Sequence, residues 1–118
     1  MSLRYEFSKS EKKIVRQVIE TALQRDYKSG ILDLDRIIQR WKNKELDNRD
    51  AYMELYKTVI TNDKYIAKVY NDLRGSTYMS IIQGLLANKV LSEQDLVEFS
   101  EETRNDILGI RSILTGED

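Results

Sequence analysis

Apolar residues in this chain recur every three or four positions, and each run of that rhythm opens on a residue suited to cap a helix. Ser8 and Glu11 stand at capping-box spacing. Behind them Ile14, Val15, Val18, Ile19, Ala22 and Leu23 repeat along one helix face. Ser29-Gly30 is a natural stop, which predicts a first helix over residues 9–29. Asp33 then caps a short helix carrying Leu34, Ile37, Ile38 and Trp41. Asp47 or Asn48 caps the longest segment, where Tyr52, Leu55, Tyr56, Val59, Ile66, Tyr70 and Leu73 follow one line around a helix until Gly75. Thr61-Asn62-Asp63 interrupts that line with three residues that prefer caps. The segment therefore reads as one helix or as two meeting near residue 61 or 62.

Ser76 caps a further helix with Tyr78, Ile81, Ile82, Leu85 and Leu86. Ser92 with Asp95 opens a short one carrying Leu96, Val97 and Phe99. Ser100, with Glu101 and Glu102 suited to the first-turn dipole, opens the last. No strand-like alternation of useful length occurs. The expectation is an all-α, compact multi-helix domain of five to seven helices, bundle-like or orthogonally packed, with no sheet. A single domain spans 1–118, with residues 1–7 as a flexible N-terminal arm. Trp41 is expected to be largely buried, so that Trp41→Ala costs about 3–5 kcal/mol. Tyr52, Tyr56 and Tyr70 are placed on the core side and Tyr65 outside. The joints Asn43-Lys44-Glu45-Leu46 and Asn88-Lys89-Val90-Leu91 share a pattern, each followed by a capping residue and, three positions later, an aspartate. That pattern reads as a duplicated hairpin or as the common grammar of helix–turn–helix joints.

Composition narrows the chemistry. The chain holds no histidine, cysteine or proline. Without proline, long helices run uninterrupted. Without histidine and cysteine, Ser–His and Cys–His nucleophiles, disulfides and the commonest soft or borderline metal ligands are excluded within one chain. Uninterrupted apolar runs reach only three residues, as at Leu85-Leu86-Ala87, far short of a membrane span. No signal-peptide pattern opens the chain, so a cytoplasmic location is the expectation, with no membrane, metal or cofactor partner. The net charge of −1 is unevenly divided. Residues 1–89 carry 17 basic against 12 acidic side chains, net +5, and residues 90–118 carry 2 against 8, net −6. The acidic end can pack on the basic body, meet a basic partner or dock on another copy.

Few constellations could carry chemistry. Placing Gly30 at the sixth position of an EF-hand loop puts Arg25 and Arg36 where oxygen ligands are needed, which disqualifies it. No phosphate-binding glycine loop is present. Asp63 is the one ionisable residue out of place. On a continuous helix it lies among Tyr56, Val59, Ile66 and Tyr70, making Tyr56, Asp63 and Tyr70 a candidate polar pocket. At a helix break it faces a first turn instead. Lys9, Lys12, Lys13 and Arg16, with Arg36, Arg40, Lys42 and Lys44, form a candidate basic patch. Tyr65, with the small residues Ser80 and Gly84 of the row Ser76, Ser80, Gly84, Asn88, forms a candidate interaction surface.

The leading functional expectation is a non-catalytic helical protein-interaction or self-associating module, with a protein partner or a second copy as homodimer. The alternatives are a nucleic-acid-associated regulator using the basic N-terminal part, and an enzyme or ligand binder with the carboxylate–tyrosine pocket around Asp63.

Overall fold

The computed structural model describes residues 4–116, and all of their regular structure is helical. The elements are α1 (Lys9–Lys42), α2 (Asn48–Tyr70), α3 (Tyr78–Ala87) and α4 (Glu101–Thr115), with short 3₁₀ turns at Gly75–Thr77 and Glu93–Leu96. Four α-helices therefore stand where five to seven were expected. Two causes account for the difference. Residues 9–42 form one helix of 34 residues rather than two, and the segment after Ser92 closes only a 3₁₀ turn. No helix among the described residues is long and apolar enough to cross a membrane.

Gly30 does not stop α1. A glycine inside a helix costs about 1 kcal/mol relative to alanine, but the apolar rhythm continues through it and no proline follows. Asp33, expected as a cap, lies inside the helix and pairs with Arg36 one turn on. The residues 61–63 likewise interrupt nothing, since α2 is continuous from Asn48 to Tyr70. Ser76 does not cap α3 either: it lies inside the 3₁₀ turn Gly75–Thr77, and α3 starts at Tyr78 behind Thr77 with no side-chain cap. Three other caps sit where the sequence placed them. Asp47 accepts from the Asp50 amide at 2.7 Å, Ser100 accepts from the Thr103 amide at 3.1 Å, and Ser92 with Asp95 makes a capping box.

The described residues fall into two compact units. The first comprises 4–22 and 72–116, the second 23–71. In the first unit Val15, Val18, Ile19 and Ala22 of α1, Met79, Ile82 and Leu85 of α3, Leu91, Leu96, Phe99 and Ile107 are buried. Phe7, within the segment expected as a flexible arm, is buried too. Its ring lies 4.9 Å from Tyr5 and 5.8 Å from Phe99. Residues 1–3 of that arm lie outside the described residues. Two polar links complete the unit. The Glu11 carboxylate accepts from Ser100 N at 3.3 Å and Thr103 Oγ1 at 2.7 Å, putting a negative charge at the start of α4. Gln83, buried on α3, donates to the Ile107 carbonyl at 2.9 Å.

The second unit is a helical hairpin made by the latter part of α1 and by α2. Its turn is a Schellman motif. Lys44 takes φ 64°, and the Glu45 amide reaches the Arg40 carbonyl at 2.9 Å. The Asn88-Lys89 joint of the first unit repeats that geometry, with Lys89 at φ 62° and the Val90 amide on the Leu85 carbonyl at 2.9 Å. The shared sequence pattern thus encodes one shared turn.

A candidate interaction surface on the helical hairpin

Within the hairpin, polar pairs step outward from the turn. Trp41 Nε1 donates to Asn48 Oδ1 at 2.8 Å, Arg40 pairs with Glu54 at 3.1 Å, and Tyr70 donates to Asp26 Oδ2 at 2.6 Å. Between them Gly30 meets Asn62 closely. A Cβ at Gly30 would lie 2.9 Å from Asn62 Nδ2. The Arg40–Glu54 pair and the Gly30–Asn62 contact define the inner faces of the two helices, where Ile37 and Ala51 are buried; Trp41 and Tyr70 reach inward from the edge.

A quarter-turn around from those inner faces, each helix carries a second apolar row. On α1 it is Tyr27, Ile31, Leu34, Ile38 and Trp41. On α2 it is Tyr52, Tyr56, Val59, Asp63 and Ile66. Both rows step 4, 3, 4, 3, which is the heptad spacing of helices that pack as coiled coils. In antiparallel helices the two rows come out on the same side of the hairpin. Two open grooves run between them. One, of about 310 Å³, is lined by Ile38, Trp41, Asn48, Ala51, Tyr52 and Leu55. The other, of about 120 Å³, includes Tyr27, Ile31, Leu34, Val59, Asp63 and Ile66. Large side chains along this face are open to solvent: Tyr52 is 71% exposed, Ile31 64%, Tyr56 57% and Trp41 43%.

Three expectations are corrected by this arrangement. Trp41 is not largely buried. It sits at the groove's edge with its indole N–H held by Asn48, so the loss expected of a core tryptophan does not apply to it. Tyr52 and Tyr56 are on the open face and only Tyr70 of that trio is buried. Tyr56, Asp63 and Tyr70 do not form a polar pocket. Tyr70 turns inward to Asp26, while Tyr56 and Asp63 are exposed on the outer row. The underlying reason is one of periodicity: an exposed apolar row and a buried one have the same helical spacing. The signal that separates them is the excess of apolar positions, too many for one face of a two-helix unit.

The remaining candidates are distributed between the units. Tyr65 is on the hairpin and exposed, as expected, whereas Ser80 and Gly84 lie on α3 of the first unit, also exposed. Ser76 and Asn88 are exposed as well, so this row faces solvent rather than an internal helix. Lys9, Lys12, Lys13 and Arg16 belong to the first unit, and Arg36, Arg40, Lys42 and Lys44 to the hairpin. Lys12 lies 3.9 Å from Glu6, and Arg36 and Arg40 are paired with Asp33 and Glu54.

Two tyrosines have their hydroxyls held neutral. Burial, followed by the hydrogen bond to Asp106 and that residue's charge, pushes the Tyr5 hydroxyl up to about 12. Burial and the Asp26 carboxylate raise Tyr70 well above the ordinary tyrosine value. Neither is poised to exchange protons near neutral pH. In the first unit, an open cavity of about 590 Å³ is lined by Arg4, Tyr5, Glu6, Arg74, Ser76 and Thr77. Several of its polar groups already have partners: Tyr5 on Asp106, Arg74 on Asp72 and Thr77 on the Asp72 carbonyl. No group of three or more acidic residues among the described residues is arranged to hold a metal ion. No family model, curated protein or solved structure matches the chain.

Proposed function

We propose that this protein is a non-catalytic protein-interaction module whose working surface is the open apolar face of the α1–α2 hairpin. The observation that carries this reading is the pair of heptad rows lying side by side, with Tyr27, Ile31, Trp41, Tyr52, Tyr56 and Val59 exposed along them. Contiguous apolar patches of that kind mark association sites, and aromatic residues are enriched at interface cores because they combine large apolar area with a polar tip. The nucleic-acid alternative has less support, because its two basic groups belong to separate units and three of the eight residues have acidic partners. The enzyme alternative loses its central pocket with the inward turn of Tyr70.

Site-specific photocrosslinking tests the reading in the cell. A benzophenone side chain in place of Tyr56 should give a discrete covalent protein adduct, whereas the same group in place of exposed Asn105 on α4 should not. Adducts absent at both positions, or equal at both, would remove the hairpin face as the working surface.

A further inference from the structure

We infer that the occupant of the hairpin face is a second copy of this chain, two hairpins closing a two-fold four-helix bundle. This inference rests on the interaction-module reading and specifies its partner.

The face is too wide for a single helix. A single added helix fills a groove between two helices. Here the apolar surface covers the crowns of both helices as well as the groove, with Ile31 and Tyr56 among the most exposed positions. Two further helices are needed to cover both rows, and they must carry matching heptad rows to interlock. The hairpin supplies such a pair, since both of its rows step 4, 3, 4, 3 over the same length. Laid face to face about a two-fold axis, two hairpins place every helix antiparallel to its neighbours, the up-down-up-down arrangement of four-helix bundles. Closed two-fold pairing is also the commonest form of soluble oligomer.

The open area also suits a second copy. Tyr27, Trp41, Tyr52 and Tyr56 are 46%, 43%, 71% and 57% exposed. At 150–250 Å² for each aromatic side chain, these four alone leave about 300–550 Å² open. Ile31 and Val59 extend that surface. With them the face approaches the ~800 Å² per partner of a standard interface.

Asp63 is the only charged residue in either row. A lone polar residue in a heptad core fixes register at a cost in stability. Its replacement by leucine should therefore act oppositely to a charge placed on an apolar row position.

Sedimentation velocity of the full chain from about 1 to 100 μM tests the inference at low and high salt. The expected species has twice the 13.9 kDa chain mass. Because apolar burial holds it, it persists in about 1 M NaCl, where exposed charge pairs are screened. Ile31→Asp and Tyr56→Asp, at sites already exposed in the monomer, should weaken association about 100-fold while circular dichroism stays helical. Asp63→Leu should tighten it about tenfold, and Ser80→Asp on α3 should leave it unchanged. A cysteine-free chain allows a second measurement. With Val59→Cys, a flexible bis-maleimide should link two copies, and with Ser80→Cys it should not. A monomer at 100 μM, or a dimer broken by Ser80→Asp and insensitive to Ile31→Asp, overturns the inference. In the monomer case a crosslinked adduct at position 56 would show the face still occupied by a different protein. The two readings therefore fail separately.

Discussion

Tyr5 and Tyr70 are the residues at which burial and charge act together most strongly. Each hydroxyl donates at 2.6 Å to a carboxylate, Asp106 and Asp26 respectively. Ionising either tyrosine would place two negative charges in contact and leave a desolvated anion, so both native pKa values are raised from 10.0, Tyr5 to about 12. The native state thus holds these protons after the unfolded chain has released them. The associated stability is fully present below pH 10 and is lost as pH rises through the native values. Urea unfolding followed from pH 9 upward should show stability falling between pH 10 and 12, and Tyr5→Phe should flatten the part of that fall owed to Tyr5. An equal fall in Tyr5→Phe would mean that the bond to Asp106 does not persist in solution. The local caps Asp47 and Ser100 were legible in sequence because each acts within one turn. The partner of Tyr70 was not: Asp26 is 44 residues away, and no local rhythm distinguishes it from Asp63.

Continuity is the deciding property of the elements. Helix α1 passes through Gly30, and the glycine there faces α2 at Asn62, where a methyl group would press on the amide. Sequence alone reads Gly30 as a stop, since the reason for keeping a glycine there lies on another helix. The same long-range dependence hid the status of Trp41, Tyr52 and Tyr56, whose spacing is legible but whose exposure depends on which row α2 covers. Glycines that touch nothing provide a contrast. A Cβ at Gly109, inside α4, would meet no atom within 4 Å. Gly109→Ala should therefore stabilise the protein by about 0.5–1 kcal/mol through helix propensity. Gly30→Ala should gain less or lose, because Asn62 must move, and the full gain should return in the double variant Gly30→Ala/Asn62→Ala. Chemical denaturation of the native protein, Gly30→Ala, Asn62→Ala and the double variant measures this coupling. Strict additivity would mean that α1 and α2 do not meet at this pair.

At the scale of the whole molecule, burial is divided unevenly between the units. The all-helical class was legible from the caps and the 3.6-residue rhythm, but this division was not, because every apolar residue contributes equally to a periodic pattern whether or not a partner covers it. In the hairpin only Ile37, Ala51 and Tyr70 are buried, whereas α3 alone buries Tyr78, Met79, Ile81, Ile82, Gln83 and Leu85. Isolated helices draw little stability from their own hydrogen bonds and rely on packing of an apolar face. The hairpin should therefore open locally at a lower free energy than α3. Native-state hydrogen exchange at about 1 μM should show amides of α2 exchanging well before those at the centre of α3. Raising the protein to about 100 μM should slow exchange in α2, since a partner that binds only the closed hairpin stabilises it by mass action. Exchange in α3 should change less, because its core is complete within one chain. Equal protection of α2 and α3 at low concentration would mean that the two units unfold as one. Slower α2 exchange at low concentration, independent of dilution, would mean that the hairpin holds itself closed without a second copy.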